Sequence, residues 1–182
     1  MNKATFFVLL TAAVIFTTNV KAQETNYLRL SVEPGMVLNT KKDGKFALGG
    51  SIGWLTQDNF MAQNENNYLS VTLKAVNNPY GDGKILSSIL NDKDDAFNYG
   101  ALLIGYRFTQ QGIENGFYVE PRIGGALGAS YGAFVFSPAA GYAYDHFDFS
   151  LFLDAGFGSK NNAIGEKNFF NLGLSIGYNI GL

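Results

Sequence analysis

From residue 168 to 182 the chain alternates with a period of two. One parity reads Phe170, Leu172, Leu174, Ile176, Tyr178, Ile180 and Leu182. The other reads Phe169, Asn171, Gly173, Ser175, Gly177, Asn179 and Gly181. Successive side chains of a strand point to opposite faces, so one face is an uncharged apolar stripe and the other is small and polar. The apolar stripe runs to the last residue. The small face fits only a narrow interior. A transmembrane β-barrel needs this division, with lipid outside and a polar lumen inside, and the stretch is expected to be its closing strand.

Seven earlier segments repeat the pattern: Tyr27 to Leu38, Lys45 to Thr56, Asn67 to Val76, Ala96 to Thr109, Gly116 to Gly128, Ala133 to Asp145 and Phe147 to Gly158. Asp43-Gly44 supplies the positive φ that a hairpin turn needs between the first two. The outward stripes are carried by residues such as Leu30, Ile52, Leu73, Ile104, Tyr106, Val119, Phe134 and Leu151. Alternation in one strand is weak evidence. Eight such strands, with every charge on the parity of the glycines and serines, are much stronger. A soluble barrel would invert the arrangement, with large apolar residues inside and charges outside. The expected fold is therefore all-β, an eight-stranded antiparallel up-and-down transmembrane β-barrel. Pro34, Pro121 and Pro138 fall inside strands on the outward parity, and bulges are expected there because proline removes a ladder donor. Val32-Glu33-Pro34-Gly35 resembles Val119-Glu120-Pro121-Arg122, a hint of hairpin duplication.

The inward parity carries Arg29, Lys74, Arg107 and Arg122 against Glu33, Glu120, Asp148 and Asp154. An eight-stranded barrel has an interior just wide enough for side chains to fill. Four charges of each sign in that space predict a neutral plug of ion pairs, with Arg29 and Asp148 nearest the rims. With both termini in the periplasm, connections 39–45, 77–95, 129–132 and 159–167 lie outside, and 57–66, 110–115 and 145–146 lie in the periplasm. Connection 57–66 is long for a periplasmic turn.

Composition adds compartment. Lys3, the apolar run Phe6 to Phe16 and Val20-x-Ala22 read as a cleaved secretory signal peptide, residues 1–22. The run is shorter than the ~20 apolar residues of a membrane-spanning helix. Residues 23–182 then form one barrel domain. The chain has no cysteine, which excludes a cysteine-borne lipid anchor, disulfides and thiolate metal sites. Without Lys3 and Lys21 there are 11 basic and 15 acidic residues, a net charge of −4 that argues against nucleic acid as a partner.

Candidate chemistry is sparse. His146, the single histidine, falls in a periplasmic turn, on the wrong side for a hydrolase acting on outer-leaflet lipid. Asp82, Asn91, Asp92, Asp94 and Asp95 crowd one outer loop, but their spacing matches no calcium loop and they read as solvated. Ile85, Leu86, Ile89 and Leu90 recur at helical spacing, which suggests a short amphipathic helix over the barrel mouth. No phosphate loop, nucleotide motif or paired-carboxylate cleft is present.

Three stretches carry a family resemblance: Gly-Phe-Tyr-Val-Glu-Pro at 116–121, Leu-Ile-Gly-Tyr-Arg-Phe at 103–108, and the Leu-Gly-Leu-Ser-Ile-Gly-Tyr ending. With them the chain resembles the small eight-stranded outer-membrane barrels, OmpA-like and OmpX-like, and most nearly the compact barrel domain of Bacteroidetes. The resemblance implies an outer-membrane protein without enzymatic activity or cofactor, with a structural or surface-interaction role. A small diffusion channel and a lipid-modifying barrel enzyme are the alternatives. It also implies outer-membrane lipids and lipopolysaccharide as surroundings, a monomer, and a closing strand read by the barrel-assembly machinery through Tyr178, Ile180 and Leu182. The family's closing strand typically ends in an aromatic residue, and here it ends in Leu182.

Overall fold

The computed structural model describes residues 26–39, 45–58, 66–78, 97–128, 131–158 and 167–182. The leader, the acidic loop residues and the amphipathic stretch at 85–90 lie outside the described residues. The strands are β1 (Asn26–Val37), β2 (Phe46–Gln57), β3 (Tyr68–Asn78), β4 (Phe97–Thr109), β5 (Asn115–Glu120), β6 (Arg122–Gly128), β7 (Tyr131–Phe136), β8 (Ala139–Tyr144), β9 (Phe147–Gly158) and β10 (Asn168–Gly181). β5 and β6 form one stave interrupted at Pro121, and β7 and β8 another interrupted at Ser137 and Pro138. Eight staves result, antiparallel and in chain order.

The ring closes. β10 pairs with β9 on one side and with β1 on the other, from Tyr27↔Gly181 to Val37↔Asn171. A lateral row shows how. It runs Arg29, Gly53, Thr72, Leu103, Gly124, Val135, Gly156, Phe169. The β10–β1 register carries it on to residue 39, ten residues beyond its start. A stagger of this kind is what strand tilt in a closed barrel requires.

The expected bulges at the three prolines are absent. Phe108↔Val119 and Gly105↔Arg122 lie in one register, as do Glu120↔Ala139 and Ile123↔Phe136, and Phe136↔Ala155 and Ala139↔Phe152. β1 runs unbroken through Pro34, and its register against β10 is the same on either side. An inserted residue would shift these pairings by one. The prolines remove donors and leave the count intact. Their carbonyls still serve the ladder: Tyr106 N–H donates to Pro121 O (3.2 Å) and Leu153 N–H to Pro138 O (3.1 Å). By the shared register, Pro121 and Pro138 face each other on adjacent staves.

The faces divide as the alternation requires. Leu30, Val32, Ile52, Leu73, Ile104, Phe117, Leu151 and Leu174 are exposed. All eight charged side chains borne by strands point inward and are buried. Tyr106 departs from expectation. It stands on the outward parity, yet it is buried, and its hydroxyl donates to Asp58 O at 2.9 Å. The start of the long connection after β2 is thus tied to the side of β4. Among the described residues no helix is long and apolar enough to cross a membrane.

Candidate functional site: the barrel lumen

Among the described residues, the inward side chains lie in three layers. At the end where β1 begins and β10 stops, here the terminal end, Tyr27, Leu55, Tyr68 and Ile113 form an apolar cluster. The Tyr27 and Tyr68 rings meet edge to face, 5.9 Å apart. At the far end a larger cluster joins Val37, Val76, Phe97, Tyr99, Leu103, Val135 and Phe169. Phe169 sits 5.1 Å from Phe97 and 4.7 Å from Tyr99. Gly156 makes this possible, because a Cβ there would overlap the Phe169 ring.

Between the two clusters lie all eight charges read from the alternation. They form two groups and a link. In the first group, Arg29 clasps Glu120 with both terminal nitrogens (3.0 and 3.3 Å). Arg107 reaches Glu120 through Nε (3.0 Å) and Asp148 through Nη1 (2.6 Å). Asp148 also lies 3.7 Å from Arg29. Ser70 donates to Glu120 at 2.8 Å, the Tyr118 hydroxyl donates to Asp148, and the Arg107 guanidinium stacks 3.8 Å from the Tyr118 ring centre. In the second group, Lys74 Nζ lies 2.6 Å from Glu33 and 2.7 Å from Asp154, and 3.5 Å from the Phe152 ring centre. Ser51 donates to Glu33 at 2.7 Å, and Tyr99 to Asp154 at 2.6 Å.

Arg122 is the link. Its guanidinium donates to the carbonyl and the hydroxyl of Ser137, both at 3.0 Å, and that hydroxyl donates to Asp154 at 2.6 Å. The first group is thus neutral by itself, and Arg122 brings the second to neutrality through Ser137. Arg29 and Asp148, expected near the rims, are buried with the rest.

The apolar clusters were not legible as such. The alternation marks the inward parity as small and polar, yet Tyr99, Leu103, Val135 and Phe169 of the far cluster stand on it. Ile113 lies in the connection 110–115, which the pattern marks only as a short turn. His146 is where the sequence placed it, exposed in the turn between β8 and β9, with its ring 5.6 Å from that of Tyr178. Tyr178, Ile180 and Leu182 are exposed on the outer wall. Among the described residues no group of histidine, cysteine or acidic side chains is disposed to hold a metal.

Buried charge within a wall that, among the described residues, carries no outward charge on any strand defines the class: a transmembrane β-barrel of eight antiparallel staves. No protein-family model and no curated protein matches the chain. The chain is similar to the crystal structure of the N-terminal β-barrel domain of Pseudomonas aeruginosa OprF, at 17% identity over 85% of this chain and 97% of that one, with a TM-score of 0.44. It is also similar to the crystal structure of Neisserial surface protein A (NspA), at 10% identity over 87% of this chain and 99% of that one, with a TM-score of 0.47.

Proposed function

We propose that this chain is an integral outer-membrane protein whose lumen is plugged by its own side chains. Its role is then structural or one of surface interaction, without catalysis. One observation carries the reading: the eight strand-borne charges are all buried inside, while the exposed strand face is apolar. A lipid surround stabilises that outer face, and a filled interior stabilises those charges. The leader at 1–22 delivers the chain across the inner membrane, and the terminal end faces the periplasm. Tyr178, Ile180 and Leu182 serve the assembly machinery from the exposed outward face at the end of the last strand. Lipopolysaccharide and phospholipid surround the apolar band.

Two measurements test this. The mature protein partitions with outer membranes and shows heat-modifiable gel mobility. The refolded protein in a planar bilayer carries no steady current. Recovery of a soluble protein from the periplasm without detergent refutes the membrane reading. Steady conductance refutes the plug and favours a small diffusion channel.

A further inference from the structure

The outer wall is not evenly covered. A groove of about 610 Å³ crosses it from the start of β9 to β3. It lies between two lateral rows of outward side chains. The row on the terminal side is Tyr178, Leu30, Ile52 and Leu73. The row on the far side is Ile176, Val32, Gly50 and Ala75. Between them runs the row from Gly177 through Ser31 and Ser51 to Lys74, whose side chains turn inward, so the groove floor is backbone. Gly50 and Ala75 keep the far side low. A Cβ on Gly50 would meet nothing nearer than the Ser31 carbonyl, at 3.4 Å.

The dimensions suit one slender chain. The two rows stand two residues apart along the strands, about 7 Å, too narrow for a helix about 10 Å across. From β10 to β3 the groove spans three interstrand steps, roughly 14 Å, close to half of the ~30 Å hydrocarbon core. The barrel's stagger makes this row climb toward the far end as it passes from β10 to β3, so the groove runs obliquely into the membrane. Polarity marks one end only. Phe147 and Tyr178, their rings 5.3 Å apart, stand at the terminal mouth, and the His146 ring lies 5.6 Å from that of Tyr178. The walls beyond are uncharged and aliphatic. A trough with one polar end and one apolar length matches an amphiphile. The facing wall of a second copy would stand about 10 Å away and reach the floor with single side chains only.

We propose that this groove is a phospholipid site, in which one acyl chain lies along the trough and the glycerol and phosphate end sits at Tyr178 and His146. The site rests on the membrane reading above. Bulk lipid is as apolar as the groove, so the hydrophobic effect does not select it. Contact does. A chain in the trough touches protein on its floor and on both sides, whereas a chain against an even stave touches it on one side. The bound phospholipid thus differs from its neighbours in residence and not in chemistry.

Gly50→Leu supplies the test, because its side chain fills the trough from outside and leaves the inner wall untouched. The mature barrel is refolded in mild detergent with palmitoyl-oleoyl phosphatidylethanolamine, exchanged into lipid-free detergent and weighed intact by non-denaturing mass spectrometry. Gel mobility confirms that each variant is folded. Wild type is expected to retain one phospholipid per barrel, and Gly50→Leu to retain none. Gly125→Leu places the same side chain on another outward glycine, outside the groove, where the nearest atom to a Cβ is 3.8 Å away. That variant is expected to keep the lipid. Retention that ignores Gly50→Leu, loss that is equal in Gly125→Leu, or a wild-type barrel without lipid overturns the site. So do lipid-free pairs of barrels that Gly50→Leu separates, since the groove then belongs to a second copy. Each of these results still shows a barrel that needs detergent. A protein soluble without detergent overturns the membrane reading instead.

Discussion

Glu120→Ala is the sharpest test of the lumen. The Glu120 carboxylate is fully buried and accepts from Arg29, Arg107 and Ser70. Truncation strands two guanidinium groups that are themselves buried. Asp148 remains 2.6 Å from Arg107 and 3.7 Å from Arg29, so one carboxylate is left to serve two cations. Breaking a buried pair by removing one partner typically costs about 3–5 kcal/mol. The residual contact to Asp148 places the expected loss near the lower end, about 3 kcal/mol. Trp54, the single tryptophan, stands on the outward face of β2 and reports unfolding by its fluorescence. Reversible urea unfolding in lipid vesicles then gives the difference directly. Gln110→Ala on the exposed turn serves as control and should stay within roughly 0.5 kcal/mol of wild type. A Glu120→Ala loss no larger than the control's would mean that the network is solvated and that the plug does not exist.

Two further predictions test the wall. Leu174→Arg, on the lipid face of β10, should cost about 2–4 kcal/mol in the same unfolding assay, while neighbouring Ser175→Ala costs far less; equal losses would invert the assignment of faces. Gly124→Ala should cost about 1–3 kcal/mol because its Cβ would overlap the Leu102 carbonyl, whereas at Gly125 the nearest atom is 3.8 Å away. Similar stabilities for these two alanine variants would show that the inner wall has slack.

The fold was legible because one physical rule acts on every strand. Lipid excludes charge, so each of the eight staves repeats one sorting, and the repetition turns a weak local signal into a strong one. That sorting also exposed the eight charges, since an outward charge was the one thing the pattern forbade. Partner choice was a different matter. Glu120 meets Arg29 across 91 positions of the chain, and that proximity depends on the barrel's stagger, which no single strand encodes. The apolar clusters were hidden for a related reason. Inside a lumen a tyrosine or phenylalanine is permitted at any level, so parity alone cannot separate a lining residue from a seal. The clue lay in the ends of the strands, where Phe97, Tyr99 and Phe169 interrupt an otherwise small parity. The prolines misled through a general tendency. Proline often accompanies bulges, but here the Pro121 and Pro138 carbonyls keep their ladder bonds and the register survives at all three prolines.

The layering along the axis has its own logic. Buried ion pairs are costly to desolvate, and they hold only when every charge finds compensating partners and hydrogen bonds. Seven of the charges do so directly. Arg122 does so through Ser137, which accepts from the arginine and donates to Asp154. Such an arrangement excludes bulk water poorly, since every member is itself a good ligand for water. In the proposed plug, apolar residues such as Phe97 and Phe169 at one end, and Ile113 and Leu55 at the other, would supply the exclusion that the charges cannot. The proposed plug thus divides closure and polarity between different side chains. Changing Glu120 should therefore lower stability without opening a path through the membrane, and changing either cluster alone should leave the other seal intact.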